Sequence, residues 1–194
     1  MLSSIHPLGE RGRNNRWGTT VGAFTLASVL TAGLVGWVLG SIGRLVGGFD
    51  SGVTLGLMGA VAIVAGLLDL AKVPHPGPSR QVNEHWIGYY RGWVYGGAFG
   101  GQLGLGLATY VVTWTVYATL IAEFLTASPT VGALVGIIFG FGRSVALILA
   151  ARIRRPSDLR EFHRMMDRLG PQVRRLAISA TGVAGLIAVT GVLL

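Results

Sequence analysis

The sequence predicts an all-α protein, a polytopic bundle of about five glycine-rich transmembrane helices. Of its 194 residues 51% are hydrophobic and only 12% are charged, whereas about a quarter of the residues in a soluble domain are charged. Between Arg91 and Glu123 lie 31 residues without a charged side chain, more than the roughly 20 that a helix needs to cross a bilayer. Glycine accounts for 31 residues, and rows of small side chains allow helices to pack closely in lipid.

The predicted spans are apolar runs separated by polar or basic segments. A basic segment containing Arg11, Arg13 and Arg16 precedes the first run. We interpret it as cytoplasmic and not as part of a signal peptide, because the apolar run is too long for a signal-peptide core and no small-residue cleavage site follows before Arg44. The spans run over residues 18–43, 52–71, 92–121, 130–151 and 176–194, in one integral membrane domain.

Two polar segments between the spans carry predictions of their own. Three prolines within residues 74–78 preclude a helix directly after the second span, and Ser79 is a candidate N-cap for a short interfacial helix. After the fourth span, apolar residues recur at helical spacing, which predicts an amphipathic helix over 157–169 on the cytoplasmic surface. We expect Pro156 to begin this helix and Gly170–Pro171 to end it.

The distribution of arginine predicts which side of the membrane each segment faces. Residues 152–175 contain eight arginines, whereas the turn at 126–129 contains no basic residue. Because cytoplasmic loops carry the excess of Lys and Arg, we expect a plasma-membrane protein with a cytoplasmic N-terminus and an external C-terminus. The net charge of +8 then indicates anionic lipid headgroups as partners, and not nucleic acid.

Glycines spaced four residues apart mark the faces that we expect to pack against other helices. In lipid, where the hydrophobic effect does not drive helices together, such faces permit the close packing that does. The central stretch is glycine-rich in its first half and bulkier in its second, which leaves open a break near its middle. The predicted packing residues are Gly92, Gly96, Gly100 and Gly104 in the third span and Gly132, Gly136 and Gly140 in the fourth.

The two halves of the chain are alike, which predicts an internal repeat of two helices. The first span of each half follows an Arg with an adjacent Gly and Trp, and Gly-Ala-Phe recurs at 22–24 and 97–99. The second span of each half ends in a basic residue and then proline. Repeats of this kind are common in transporters, whose sites lie at the interface of the repeats.

A family resemblance rests on two glycine-rich stretches, 96–109 (GGAFGGQLGLGLAT) and 128–151 (SPTVGALVGIIFGFGRSVALILAA). They resemble helices of the cytochrome-c-biogenesis (CcdA/DsbD-like) membrane family, within the wider LysE-type exporter superfamily. The resemblance covers residues 17–47 and 92–151 and implies kinship of fold. That family conducts electrons through paired membrane cysteines and has more spans in each half. Because this chain has no cysteine, the resemblance does not imply thiol activity.

Few polar residues fall within the predicted spans, and those are the candidate residues of a substrate path. Arg143 lies close to the middle of the fourth span, where a guanidinium must face protein or water. It either contacts an anion or substrate or serves as a coupling charge, or it has a structural partner, which is a carboxylate or backbone carbonyls freed by nearby glycines. Asp69 is the predicted carboxylate partner, unless it is an interfacial group beside Lys72. Gln102 and Thr109 either line a polar path or hydrogen-bond across helices.

The remaining polar residues indicate no catalytic or metal centre. The chain lacks cysteine, and His75, His85 and His163 do not have the spacing of metal ligands. Neither a nucleophile motif nor a phosphate-binding loop is present. Glu123, at a span end, is interpreted as interfacial. We therefore expect neither enzyme activity nor a metal or cofactor.

Two functions from different classes fit these observations. The first is a small transporter or exporter with its site between the two helix repeats. The alternative is a non-catalytic membrane subunit or assembly factor of a larger complex, whose glycine faces dock other membrane subunits or a second copy of the chain. A polar cavity near Arg143 favours the first function, and a glycine face left bare toward lipid favours the second.

Overall fold

The computed structural model describes residues 5–77, 86–108, 111 and 113–193. All regular elements within these residues are helices, in agreement with the predicted all-α class. In chain order they are α1 (Pro7–Gly12), α2 (Trp17–Leu45), α3 (Ser51–Leu70), α4 (Trp86–Tyr89), α5 (Gly92–Gly104), α6 (Thr115–Leu125), α7 (Pro129–Leu149) and α8 (Pro156–Leu193), with a short 3₁₀ turn at Ala150–Arg152.

Three helices are long and apolar enough to cross a membrane. They are Trp17–Leu45, Ser51–Leu70 and Pro129–Arg152, the last including the 3₁₀ turn, with mean hydropathies of 1.8, 2.1 and 2.1. The apolar helix α6 has only 11 residues, too few to span a bilayer alone. The membrane character predicted from composition is therefore supported by α2, α3 and α7, whose bounds agree with those of predicted spans to within about two residues.

The central apolar stretch, predicted as one span over 92–121, forms two helices. Helix α5 ends at Gly104, and α6 begins at Thr115. Gly106 has a φ of 76°, a left-handed conformation that glycine adopts without steric penalty, and residues 105–108 form turns and bends. The chain therefore leaves the helical path within its longest uncharged stretch. Thr109, a candidate path residue, lies outside the described residues.

The amphipathic segment and the last apolar run form a single helix. We expected Gly170–Pro171 to end the first of them, but α8 continues through Pro171, so this expected helix end is wrong. Proline inside a helix costs about 3 kcal/mol, through one lost backbone hydrogen bond and a clash with the preceding turn. The carbonyl that loses its partner belongs to Asp167, which is exposed, so water can bind it.

The start of α8 lies where the sequence predicts it. Pro156 is the first residue of the helix, a position at which the N–H missing from proline is not needed. The Asp158 carboxylate accepts hydrogen bonds from the backbone N–H groups of Arg154 (3.0 Å) and Arg155 (2.9 Å). These bonds lower the pKa of the Asp158 carboxyl, and its negative charge complements the positive amino end of the helix.

The chain divides into two compact units, and each of the long helices α2, α7 and α8 contributes to both. Helices α1, α4 and α5 belong to unit one, whereas α3 and α6 belong to unit two. Unit one comprises residues 1–32, 79–110 and 138–170, and unit two comprises residues 33–78, 111–137 and 171–194.

Unit one has an apolar core to which α2, α5 and α7 contribute. Trp86 of α4 stacks on Phe99 of α5 with ring centroids 5.9 Å apart, which attaches the short helix α4 to this core. Because Ile5 is 0% exposed, the segment before α1 is also part of the core. The buried core side chains are Ile5, Val21, Phe24, Tyr95, Phe99 and Leu147, with Trp17, Trp86, Ile87 and Leu103 packed against them.

Within unit one, α5 approaches α2 so closely that no side chain fits between the two backbones. A Cβ added at Gly100 would collide with the carbonyl oxygen of Phe24. At Gly104 the added Cβ would lie 2.5 Å from the carbonyl oxygen of Ser28, far inside van der Waals contact. The same face of α5 continues to Gly92 and Gly96, where an added Cβ would meet Thr20.

Ser28 also joins α2 to α7 within unit one. Its hydroxyl donates a hydrogen bond of 3.0 Å to the carbonyl oxygen of Gly140, and a Cβ added at Gly140 would lie 2.5 Å from the Ser28 carbonyl oxygen. The other two glycines of the α7 row, Gly132 and Gly136, are buried as well. Helix α2 thus contacts both α5 and α7 through backbone.

Unit two combines α3 and α6 with the remaining parts of α2, α7 and α8. Helix α3 packs against α6. The backbones of α2 and α7 meet at Gly36 and Gly132, where a Cβ added to either would collide with the carbonyl oxygen of the other. Helix α8 contacts α3 at Gly185, where an added Cβ would lie 2.8 Å from the Gly59 carbonyl oxygen.

Candidate functional site

Arg143, on α7 in unit one, contacts the carboxyl end of α5. Its Nη1 donates a hydrogen bond of 2.8 Å to the carbonyl oxygen of Leu103, in the last turn of that helix. The guanidinium also lies 5.1 Å from the centroid of the Phe139 ring, within cation–π range. The last four carbonyls of a helix lack α-helical partners and carry partial negative charge. Arg143 therefore caps α5 at the point where the central stretch leaves the helix.

The sequence leaves several partners open for Arg143, and backbone carbonyls are one of them. The structure shows one such contact, with a backbone carbonyl of the glycine-rich helix α5. Gln102, one residue before Leu103, is half-buried on α5. In unit one the candidate path residue Arg143 thus contacts the end of α5, the helix end at which Gln102 lies.

Asp69 lies at the end of α3 in unit two and is only 4% exposed. Its Oδ1 accepts a hydrogen bond of 3.0 Å from the backbone N–H of Trp114, the residue directly before α6. Its Oδ2 accepts hydrogen bonds from the hydroxyls of Thr113 (2.5 Å) and Thr115 (3.4 Å). The side chain of Trp114 provides no cap for α6, so Asp69 supplies a carboxylate to the amino end of this helix from another part of the chain.

The proline-rich segment after α3 closes over the Asp69 carboxylate. His75 Nε2 lies 3.5 Å from Asp69 Oδ1, and the His75 ring lies 5.6 Å from the Trp114 ring between centroids. Trp114 Nε1 donates to the Val73 carbonyl at 3.1 Å, and the Tyr117 hydroxyl donates to the Pro76 carbonyl. The segment is non-helical, as its prolines predict, and it forms one wall of a polar cluster in unit two.

Arg143 and Asp69 fall in different units, and the partners described above for each lie within its own unit. The ion pair between them, expected from the sequence, stays a prediction. Thr109 lies outside the described residues. The role of packing residue expected for Gly92, Gly96, Gly100 and Gly104 stays a prediction as well, and its direct test is substitution.

Two further carboxylates, Glu123 and Glu10, are buried although the sequence does not predict it. Glu123, interpreted as interfacial, is 1% exposed on α6, and its Oε2 has no hydrogen-bond partner within the described residues. Glu10 is 0% exposed, although it lies in a segment whose composition is that of a solvated tail. The one local signal for Glu10 was Arg13, three residues on, which is the spacing of a helical ion pair.

Glu10 is the centre of a hydrogen-bond network in unit one. Its Oε1 accepts from Arg13 Nη2 at 2.6 Å and from the Tyr95 hydroxyl, and its Oε2 accepts from the Thr20 hydroxyl at 2.8 Å. Burial lowers the pKa of Arg13, but the hydrogen bond and charge of Glu10 outweigh it and raise that pKa overall. Glu10 thereby links α1 to both α2 and α5.

No protein-family model, curated protein or solved structure matches this chain. The resemblance to the cytochrome-c-biogenesis family stays a prediction. Within the described residues, no three His, Asp or Glu side chains are grouped as ligands of a metal would be. Any assignment of function therefore rests on the backbone break and on the charged groups beside it.

Substitution of Asp69 by asparagine is expected to lower the free energy of unfolding by about 1–2 kcal/mol, the upper range for a charge at a partly buried helix end. The amide still accepts a hydrogen bond from Trp114 but no longer brings negative charge to α6. Thermal unfolding in detergent measures the change. The control is Asp167→Asn, because Asp167 is exposed on α8. Equal effects of the two substitutions would contradict a capping role.

Proposed function

We propose that this protein is a small polytopic transporter or exporter of the plasma membrane, with its site between two helix repeats. The observation that supports this most is the interruption of the central apolar stretch between Gly104 and Thr115. Discontinuous membrane helices supply the substrate and ion sites of many transporters. The proposal includes five spans, a cytoplasmic N-terminus, an external C-terminus and a duplicated pair of helices, as the sequence analysis predicts.

The non-helical backbone of the interruption needs protein or water beside it in a membrane. Leu105 and Leu107 are 42% and 43% exposed, and residues 105–108 are not helical. Backbone groups that are unpaired in lipid cost several kcal/mol each, so irregular backbone occurs at membrane depth only where it is covered by protein or lines a water-filled cavity. Water at this segment supports a transport path, whereas a covering protein supports the alternative function.

Fixed charges at helix ends favour an ionic or polar solute. Arg143 brings positive charge to the end of α5, and Asp69 brings negative charge to the start of α6. Ionisable residues within membrane segments commonly mark the paths of substrates and ions. Glu123 adds a buried carboxylate whose Oε2 has no hydrogen-bond partner among the described residues, a group that a coupling cation or proton would stabilise. We therefore propose a solute that carries charge and not an apolar one.

The alternative is a non-catalytic membrane subunit or assembly factor. It is favoured by the exposed basic side chains of α8, Arg160, Arg164 and Arg168, which lie four residues apart and would suit an acidic soluble partner. In that case another membrane subunit covers residues 105–108. The two functions therefore differ in what contacts Leu107.

A cysteine at Leu107 tests the transport path directly, because the chain contains no other cysteine. In proteoliposomes, Leu107→Cys is expected to react with a charged, membrane-impermeant thiol reagent. With at least one solute from a panel of small charged solutes, proteoliposomes that contain the wild-type protein should swell more than liposomes without it. Modification of Leu107→Cys should then reduce that swelling several-fold, since a bulky charged adduct blocks the path.

The matched control is Ile138→Cys, at an apolar side chain of α7 that is 71% exposed and that we expect to face lipid. It should not react, and its swelling should equal that of the wild type. A reactive Leu107→Cys without solute-dependent swelling would contradict transport. An unreactive Leu107→Cys, together with co-purification of a second protein of fixed stoichiometry, would favour the membrane-subunit alternative.

A further inference from the structure

Unit one contains a cavity of about 460 Å³ that the transport proposal does not use. It opens beside the turn between α1 and α2 and beside the segment that follows α7. All ionisable side chains that line it are arginines. The lining residues are Pro7, Arg11, Asn15, Arg16, Trp17, Ala151 and Arg154.

The lining chemistry is that of an anion site. Within the part of the chain that the structure describes, none of the three lining arginines takes part in an ion pair. Asn15 uses its Oδ1 to accept a hydrogen bond from the Gly92 N–H at 3.2 Å, so its amide N–H groups remain as donors. Guanidinium groups bind phosphate through paired N–H donors.

Hydrogen bonds, one of them buried, hold the two walls of the cavity in place. Glu10, in α1 and next to Arg11, is buried and hydrogen-bonded to Thr20 of α2 at 2.8 Å. On the other wall, the Asp158 carboxylate accepts a hydrogen bond from the backbone N–H of Arg154. Because α1 and the segment after α7 are anchored before any ligand binds, little conformational entropy is lost when an anion bridges them.

The position of the cavity along the chain indicates the depth at which it lies in a membrane. Trp17 is the first residue of the candidate span Trp17–Leu45, and Arg154 follows shortly after the candidate span Pro129–Arg152. The ends of apolar spans lie at the headgroup level, where tryptophan is enriched. A phosphate at this depth belongs most simply to a lipid.

The geometry points to a binding site in this cavity for a phosphate-bearing anion, the headgroup phosphate of an anionic lipid. Arg11, Arg16 and Arg154 bind the phosphate oxygens, Asn15 donates a further hydrogen bond, and Trp17 contacts the glycerol region of the lipid. This site does not depend on the transport proposal. Such a site binds a defined number of lipids per protein, whereas basic segments are attracted to a charged surface without a fixed number.

Native mass spectrometry of the detergent-solubilised full chain tests the site with three probes: phosphatidylglycerol, phosphatidylcholine and inorganic phosphate. The double variant Arg11→Gln/Arg154→Gln is expected to bind phosphatidylglycerol at least about tenfold more weakly, since each charged hydrogen bond contributes about a factor of ten or more. Binding of phosphatidylcholine should remain unchanged. The control Arg160→Gln/Arg164→Gln removes the same charge from the exposed face of α8 and should change phosphatidylglycerol binding by less than about twofold.

The probes distinguish the source of the phosphate. Loss of inorganic phosphate binding in Arg11→Gln/Arg154→Gln, with phosphatidylglycerol unaffected, would support the site and assign it to a soluble anion. The charge-preserving Arg11→Lys/Arg154→Lys should retain part of the affinity. Equal losses in the cavity and α8 variants, or no loss in either, would overturn the proposal.

Discussion

Replacing Gly100 by alanine is expected to lower the free energy of unfolding by about 1–3 kcal/mol, the usual cost of overpacking. The three atoms nearest to the added methyl group are backbone atoms of α2, among them the carbonyl carbon (2.8 Å) and Cα (2.9 Å) of Phe24. A flexible side chain could turn away, but a helical backbone with a fully buried Phe24 cannot. Denaturation by increasing sodium dodecyl sulfate in mixed micelles measures the change.

Gly97 provides the matched control on the same helix. Among the described residues, a Cβ added there meets nothing within 4 Å, so Gly97→Ala is expected to be neutral or stabilising by up to about 1 kcal/mol through helix propensity. Both substitutions add one methyl group to α5, and they differ only in what that group contacts. Equal tolerance at Gly97 and Gly100 would mean that α5 does not pack on α2 in the membrane.

The sequence could predict a small-residue face on α5, but not the helix opposite to it. A four-residue spacing defines one side of a helix, and it carries no information about the partner. The facing segment of α2 contains Thr20, Phe24 and Ser28, which do not form a matching row of glycines. Contact here is to their backbone, and any residue supplies a backbone.

The interruption of the central stretch could be suspected but not located from the sequence. No charged residue and no proline marks a break within 92–121, and among its described residues only Gly106 adopts a left-handed φ. The ends of the two helices are capped by Arg143 and Asp69, each about 40 or more positions away in the chain. The sequence singles out these two residues as unusual in apolar spans. It cannot identify their partners, because those depend on tertiary contacts.

The burial of Glu10 is the feature of the fold that the sequence predicts least well. Basic and polar neighbours surround it, and such a segment is ordinarily solvated. Its burial depends on Tyr95, which donates to it from 85 residues away, and on Ile5, whose insertion into the core brings α1 against α2. Local composition describes a segment in isolation, and therefore cannot report that a distant hydroxyl group covers it.

The Glu10→Ala substitution is expected to lower the free energy of unfolding by about 3 kcal/mol, the low end of the range for removing one member of a buried charge pair, because the Arg13 side chain is 29% exposed. It leaves Arg13, Thr20 and Tyr95 without the acceptor that they share. Glu10→Gln should cost less, because the amide oxygen still accepts from Thr20 or Tyr95 while the charge that complements Arg13 is lost. Thermal unfolding in detergent measures both variants.

Two further variants separate the network from a general effect of charge. Glu161→Ala removes an exposed carboxylate on α8 and should change stability by no more than about 0.5 kcal/mol. The double variant Glu10→Ala/Arg13→Ala should lose less than the sum of its single variants, since the unpaired guanidinium is removed with its partner. Strict additivity, or a loss at Glu10 no larger than that at Glu161, would show that α1 is not held in place by this carboxylate.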